Sequence, residues 1–166
     1  MNPNSFAVRR PYLFSALIVT LVVAVYLIAG TAVFMLKLPN QDLGLYMIAN
    51  ISLSAIFLVL LTVMRWWKPT GFQALTNRQH LWMYALSVLP VLSNLIFGVQ
   101  ARGLANSLTY LVLAASIGFV EEVAFRGLIL RALAPRGMWR AAVISAVLFG
   151  LVHSMNALAG SVPLDV

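Results

Sequence analysis

The feature that most constrains this chain is an uncharged apolar run from Pro11 to Leu36. A helix of about 20 apolar residues crosses the hydrocarbon core of a bilayer, which is roughly 30 Å thick. The run is also well beyond the roughly 7–15 apolar residues of a signal peptide. The sequence therefore predicts a retained transmembrane helix at 11–36.

Four later stretches are also apolar and long enough, or nearly so, to cross a membrane. We predict transmembrane helices at 43–64, 81–99, 104–133 and 138–159. Composition agrees, because 62% of the residues are hydrophobic and only 9% are charged, whereas soluble domains are near half apolar and a quarter charged. The predicted fold is an all-α, polytopic transmembrane helix bundle of about five spans, forming one integral membrane domain over residues 1–166.

The net charge of +7 does not indicate a nucleic-acid-binding protein. Charged residues are too few for a groove that follows phosphates, and the positive ones cluster between apolar runs. We expect membrane lipids as partners and no nucleic acid. The absence of cysteine excludes disulfides and cysteine-type zinc sites.

The positive residues also predict the orientation of the chain. If five helices alternate, eight lie on one side, and only Lys37 and Arg102 lie on the other. The positive-inside rule then predicts a multi-pass protein of the cell membrane with a cytoplasmic N-terminus. The eight are Arg9, Arg10, Arg65, Lys68, Arg78, Arg131, Arg136 and Arg140. Four tryptophans at span ends are predicted interface anchors: Trp66, Trp67, Trp82 and Trp139.

Two adjacent acids and an arginine interrupt the stretch 104–133. Glu122 and Arg126 are four residues apart, so they share a helix face and can form an ion pair. Glu121 points about 100° away from Glu122 and has no partner within its own helix. Ionisable groups inside a span cost at least about 2.5–3.5 kcal/mol each, so they are functional candidates by default.

A partner for Glu121 is predicted in the following helix. The turn Ala134-Pro-Arg-Gly137 indicates an antiparallel hairpin. Glu121 precedes Gly137 by 16 residues and His153 follows it by 16, so an equal rise per residue brings both side chains to the same depth. The same count places Phe125 and Phe149 in one layer. Small-xxx-small patterns are expected to let the two helices approach closely, at Ala114 with Gly118 and at Ala146 with Gly150.

A carboxylate opposite an imidazole can serve hydrolysis in two ways. The pair could hold and deprotonate a water molecule, which is the act of a general base. Alternatively, Glu121 and His153 could be two ligands of a divalent metal such as zinc, with the metal activating the water. A catalytic zinc site usually takes three protein ligands. The sequence leaves both versions open.

Two motifs carry a resemblance to a known family. Glu121-Glu122-Val-Ala-Phe-Arg126 has the form EExxxR, and Phe149-Gly-Leu-Val-His153 has the form FxxxH. In this order and separation, and within apolar helices, they resemble the CPBP intramembrane proteases, also called the CAAX-protease and bacteriocin-processing (Abi) family. The resemblance covers about residues 118–156, which would form the catalytic hairpin.

The resemblance implies an intramembrane endopeptidase that hydrolyses peptide bonds of a peptide or prenylated protein substrate. Family members include those that release the last three residues of prenylated CAAX proteins. The resemblance implies that Glu121 activates the attacking water and that His153 helps to bind or polarise it. It also implies that Glu122 and Arg126 form a supporting pair and that Phe149 packs beneath the site.

One departure from the family pattern concerns a later helix. The family carries a further histidine there, as HxxxN or HxxxD, and nothing after His153 matches it. We therefore expect a chain that is truncated relative to the family. The alternative function is a catalytically inactive family member that acts as an immunity factor or partner-binding scaffold. A third interpretation is a transporter or proton relay built on Glu121 and His153. Internal repeats would support it, and none is evident in the sequence.

Overall fold

The structure, a computed structural model, describes residues 5–38, 40–73 and 103–158, with the side chains of 155–158 left out. Within these ranges the regular structure is entirely helical, without a strand. This confirms the predicted all-α helix bundle of a membrane protein. The span predicted at 81–99 lies outside the described residues.

Two long helices form the first half of the chain. A short helix, α1 (Phe6–Arg9), precedes α2 (Pro11–Leu36), and α3 covers Gln41–Met64. Pro11 suits the first position of a helix, because its missing N–H would have no partner within the helix there. Both long helices end at a residue with left-handed backbone, Lys37 at φ 50° and Arg65 at φ 55°.

Residues 104–158 form a helical hairpin whose first leg is not a uniform α-helix. Helix α4 (Leu104–Glu121) continues into a π-helical segment (Glu122–Ile129) and then into α5 (Leu130–Leu133). A 3₁₀ turn (Ala134–Arg136) leads to the second leg, α6 (Met138–Leu158). The sequence predicts plain α-helix over 104–133, and the change to i→i+5 hydrogen bonding at Glu122 is a correction.

Three helices of the described chain are long and apolar enough to cross a membrane. They are Pro11–Leu36, Gln41–Met64 and the continuous helical stretch Leu104–Arg136. A fourth, Met138–Ser154, is apolar but shorter. The described residues thus hold three to four of the roughly five spans that the sequence predicts.

The chain divides into two compact units, Met1–Phe72 with Val112–Val166, and Gln73–Leu111. Of the second unit the structure describes Gln73 and residues 103–111, which include the first turns of α4. The first unit contains all the predicted site residues.

The core of the first unit forms where α2 packs against α3 and against the π-helical segment. The second leg, α6, packs against α5 and the same π-helical segment. Inside a bilayer such helices are held by close packing rather than by release of water. The fully buried side chains include Leu53, Phe57, Leu61, Val123, Leu128 and Ile129.

Trp66 belongs to this core, which corrects its prediction as an interface anchor. It is only 3% exposed, and its ring centroid lies 5.9 Å from that of Phe14. The left-handed residue Arg65 ends α3 and redirects the chain, so the next side chain turns inward. Trp139, in contrast, is 80% exposed.

Candidate active site

Glu121 and His153 face each other across the hairpin. His153 Nε2 lies 3.3 Å from Glu121 Oε1. The chain reverses at Gly137, whose φ of 116° is a backbone conformation that side chains with a Cβ rarely adopt. The proximity that residue counting predicts is therefore present in the structure.

The equal rise on which that count relies does not hold for the whole first leg. The π-helical segment lies between Glu121 and the turn, and π-helix rises less per residue than α-helix. Glu121 is consequently nearer to the turn than an α-helix would place it. The side chains of Glu121 and His153 still meet, because each is long enough to absorb a small offset in depth.

The backbone of Phe149 fixes the orientation of the imidazole. His153 Nδ1 lies 3.0 Å from the Phe149 carbonyl oxygen. A carbonyl oxygen only accepts hydrogen bonds, so Nδ1 carries a proton and donates it. In the neutral ring, Nε2 then offers its lone pair toward Glu121. Two acceptors face each other, and a shared proton or a water molecule that donates to both satisfies them.

The Phe149 side chain supports the same imidazole from one face. Its ring centroid lies 4.1 Å from that of His153, and 5.1 Å from that of Phe125 in an edge-to-face contact. The four-residue spacing of FxxxH thus supplies both a carbonyl acceptor and an aromatic support for the histidine. The predicted layer of Phe125 and Phe149 is present.

Glu122 forms an ion pair with Arg126, as the sequence predicts. Their side chains are 56% and 75% exposed, so this pair is turned away from the core. Both residues line a smaller cavity of about 350 Å³, which Glu121 also borders. The two adjacent acids therefore face different surroundings, and only Glu121 reaches His153.

The residues of the predicted close-contact patterns do not form the interface of the hairpin. Gly118 and Gly150 are exposed, and a Cβ added to either would meet nothing within 4 Å among the described residues. The small residues that face inward on α6 are instead Ala141 and Ser145, which are buried. The patterns that the structure leaves outside the interface are Ala114 with Gly118 and Ala146 with Gly150.

Ser145 links the two legs of the hairpin, and sequence reasoning missed it. Its hydroxyl donates a buried 2.8 Å hydrogen bond to the Phe125 carbonyl on the other leg. That carbonyl also accepts the backbone N–H of Leu130, in the i→i+5 pattern of the π-helical segment. The spacing of Ala141 and Ser145 is itself a small-xxx-small pattern and could have indicated the correct face.

Glu121 and His153 border a larger cavity of about 690 Å³. Most of its lining is apolar and comes from α2, α3 and both legs of the hairpin. Sequence reasoning also missed the polar side chains that the first two long helices contribute to the same cavity. These are Tyr26, Thr31, Tyr46 and Asn50. The pair therefore stands at the wall of a largely apolar cavity that also carries polar side chains.

The number of side chains that could bind a metal bears on whether the site holds a metal ion. Among residues 5–38, 40–73 and 103–158, no group of three or more acidic or histidine side chains could hold a metal ion. Glu121 and His153 provide two ligands, and catalytic zinc usually takes three from the protein. These residues alone do not complete a zinc site, so a metal held there needs a ligand from elsewhere.

Comparison with known proteins adds one finding. A family model described as type II CAAX prenyl endopeptidase Rce1-like matches residues 103–164. The match covers a little over a third of the chain and includes EExxxR and FxxxH. No curated protein and no solved structure gives a match. The resemblance to the CPBP intramembrane proteases is confirmed for this part of the chain.

Proposed function

We propose that this chain is an intramembrane endopeptidase that activates water with Glu121 and His153, and the match of residues 103–164 to the Rce1-like CAAX endopeptidase model supports it. The observation that carries the proposal is the 3.3 Å approach of the carboxylate to the imidazole at the wall of an apolar cavity. The bond from His153 Nδ1 to the Phe149 carbonyl supports it, because Nε2 is then free to accept a proton from water.

The hydrolytic step follows from the two acceptors. A water molecule donates one hydrogen to Glu121 and the other to His153, which leaves an oxygen lone pair to attack the substrate carbonyl carbon. Glu121 takes the first proton as the new C–O bond forms, and the carbonyl oxygen becomes an oxyanion. When the C–N bond breaks, Glu121 returns that proton to the leaving amine.

The supporting residues keep this geometry in place. Phe149 holds the ring of His153 by contact with its face and through its carbonyl. The Glu122–Arg126 pair neutralises the second acid, so that only Glu121 is available as a base. If a divalent metal binds, Glu121 and His153 would hold it, and it would supply polarisation of the water.

The proposed substrate is a peptide or prenylated protein that reaches the site from the membrane. The apolar lining of the larger cavity suits a chain of this kind. We place the protein in the cell membrane, in contact with lipid and with its N-terminus in the cytoplasm, on the distribution of its positive residues.

The test uses the full chain in liposomes with a panel of prenylated peptides and apolar membrane-spanning peptides, with products identified by mass spectrometry. Glu121→Gln keeps the size of the side chain and removes the base, so cleavage should fall by about 100-fold or more. The matched control is Asp42→Asn, the same chemical change at an exposed residue at the start of α3. Cleavage by Glu121→Gln at the wild-type rate would exclude the proposed mechanism.

The alternative of an inactive family member gives a different outcome. A scaffold or immunity factor needs its surface and not its base, so wild type and Glu121→Gln would both lack cleavage and both retain the cellular function. The observation that favours it is the shortage of polar groups, since the described residues bring only one carboxylate and one imidazole together.

A further inference from the structure

Two polar side chains from the first two long helices line the larger cavity together with the Glu121–His153 pair. Tyr26 lies on α2 and Asn50 on α3, and both border the space that Glu121 and His153 border. Neither belongs to a motif that the sequence singles out. Asn50 is 1% exposed, and a buried amide in an apolar bundle must have its hydrogen bonds satisfied.

The hydrogen bonds of Asn50 determine which atom of Tyr26 is free. Asn50 Nδ2 donates to the Tyr46 carbonyl at 2.8 Å and to the Tyr26 hydroxyl oxygen at 2.9 Å. The Tyr46 carbonyl can only accept, so the nitrogen and not the oxygen of the amide must face it. The second N–H of the Asn50 amide then donates to the Tyr26 hydroxyl oxygen, which accepts. The Tyr26 hydroxyl proton is left without an acceptor among the described residues.

Amide hydrolysis creates a need for such a donor. As water attacks, negative charge develops on the substrate carbonyl oxygen, and an aligned hydrogen-bond donor stabilises it. Glu121 and the neutral His153 that Phe149 orients both accept hydrogen bonds from the water. Neither of them therefore offers a proton to the substrate carbonyl oxygen. The FxxxH and EExxxR motifs therefore supply a base and no oxyanion donor.

We propose that Tyr26 is the oxyanion donor, with its hydroxyl proton directed at the substrate carbonyl oxygen by the Asn50 amide. This inference rests on the proposed endopeptidase function. Tyr26 contacts the reacting oxygen and is a catalytic residue, whereas Asn50 acts through Tyr26 and is a positioning residue. Because a hydrogen bond received by the phenol oxygen polarises its O–H, Asn50 also strengthens the donor.

A purely structural role for the same bond makes a different prediction. The Asn50–Tyr26 bond joins α2 to α3, and such a bond contributes to helix association. If that were its whole role, Tyr26→Phe would lower thermal stability and leave kcat unchanged in the folded fraction. An oxyanion donor acts in the transition state, so its loss lowers kcat with little effect on KM.

The experiment measures kcat and KM for the full chain in liposomes, using a prenylated or apolar peptide that the wild type cleaves. Tyr26→Phe should lower kcat by about 100- to 1000-fold, as loss of one oxyanion donor does elsewhere, with KM unchanged. Tyr12→Phe is the matched control, because Tyr12 lies on the same helix, is 52% exposed and is outside the cavity lining. Its kcat should equal that of the wild type.

The possible outcomes separate the two proposals. If the wild type cleaves the peptide and the kcat of Tyr26→Phe is within twofold of the wild-type kcat, the role of Tyr26 is overturned. The endopeptidase proposal then still stands. Absence of cleavage by the wild type overturns both. If Tyr26→Phe fails to insert, Asn50→Asp provides the second variant, because it places an acceptor oxygen toward Tyr26 and diverts the hydroxyl proton. A fall in its kcat would support the inference, and wild-type kcat would contradict it.

Discussion

The Ser145 hydroxyl donates a 2.8 Å hydrogen bond to the Phe125 backbone carbonyl, which joins the two legs of the helical hairpin. Phe125 lies one turn after Glu121, and Ser145 lies two turns before His153. The bond therefore sets how one leg is placed against the other, close to the pair that we propose to be catalytic. It also occupies a carbonyl of the π-helical segment.

Ser145→Ala is expected to lower the free energy of unfolding by about 1 kcal/mol, because it removes a buried hydrogen bond. Thermal unfolding in detergent measures the change. Ser116→Ala is the control, since the Ser116 hydroxyl bonds to the Leu113 carbonyl within its own helix. An equal loss in both variants would show that the link between the legs adds nothing to stability.

His153→Ala is expected to lower cleavage by about 100- to 10,000-fold, because an acceptor for the attacking water is lost. The assay is the peptide cleavage that tests Glu121→Gln. Membrane insertion should be unchanged, since the His153 side chain is 45% exposed and not part of the core. Ser154→Ala at the next residue is the control. Wild-type cleavage by His153→Ala would remove this residue from the mechanism.

Glu122 and Arg126 should behave as a pair in a double-mutant cycle. Arg126→Met and Glu122→Gln each remove the ion pair, so the double variant should lose less stability than the sum of the two single losses. The side chains are half to three-quarters exposed, so the coupling energy should stay below about 1 kcal/mol. Thermal unfolding of the four proteins measures it. A coupling energy of zero would contradict the supporting role.

Cleavage assays distinguish the two adjacent acids. Glu122→Gln should retain far more activity than Glu121→Gln, because only Glu121 reaches His153. The reverse order of activities would contradict the assignment of the base.

Gly127→Ala should lower stability, whereas Gly150→Ala should not. A Cβ at Gly127 would lie 3.1 Å from Thr70 Cβ and 3.2 Å from Thr70 Cγ2, so we expect overpacking to cost about 1–3 kcal/mol. Gly150 faces open space within the described part of the chain. Alanine there should be neutral or gain up to about 1 kcal/mol of helix propensity.

Thermal unfolding of both glycine variants gives the comparison. Adding Thr70→Ser to Gly127→Ala removes one of the two clashing atoms and should recover part of the loss. Destabilisation by Gly150→Ala equal to that of Gly127→Ala would show that the glycine at 150 packs closely after all.

Much of this architecture follows from the sequence, because length and hydrophobicity are properties of each stretch alone. The uncharged run 11–36 is long enough to predict α2 without reference to the rest of the chain. The meeting of Glu121 with His153 follows almost as directly, since a tight turn and equal residue counts restrict where two helix legs can bring side chains together. The motifs then indicate the family.

Other features required the tertiary structure. Which small residues face inward on α6 depends on the surface that the partner leg presents, so Ala141 and Ser145 are buried while Gly150 is exposed. The π-helical segment has no signal in residue spacing, because the same residues also suit an α-helix. Tyr26 reaches the cavity of Glu121 from a helix far away in sequence. Packing between segments that are distant in sequence decides these features, so residue spacing along the chain cannot predict them.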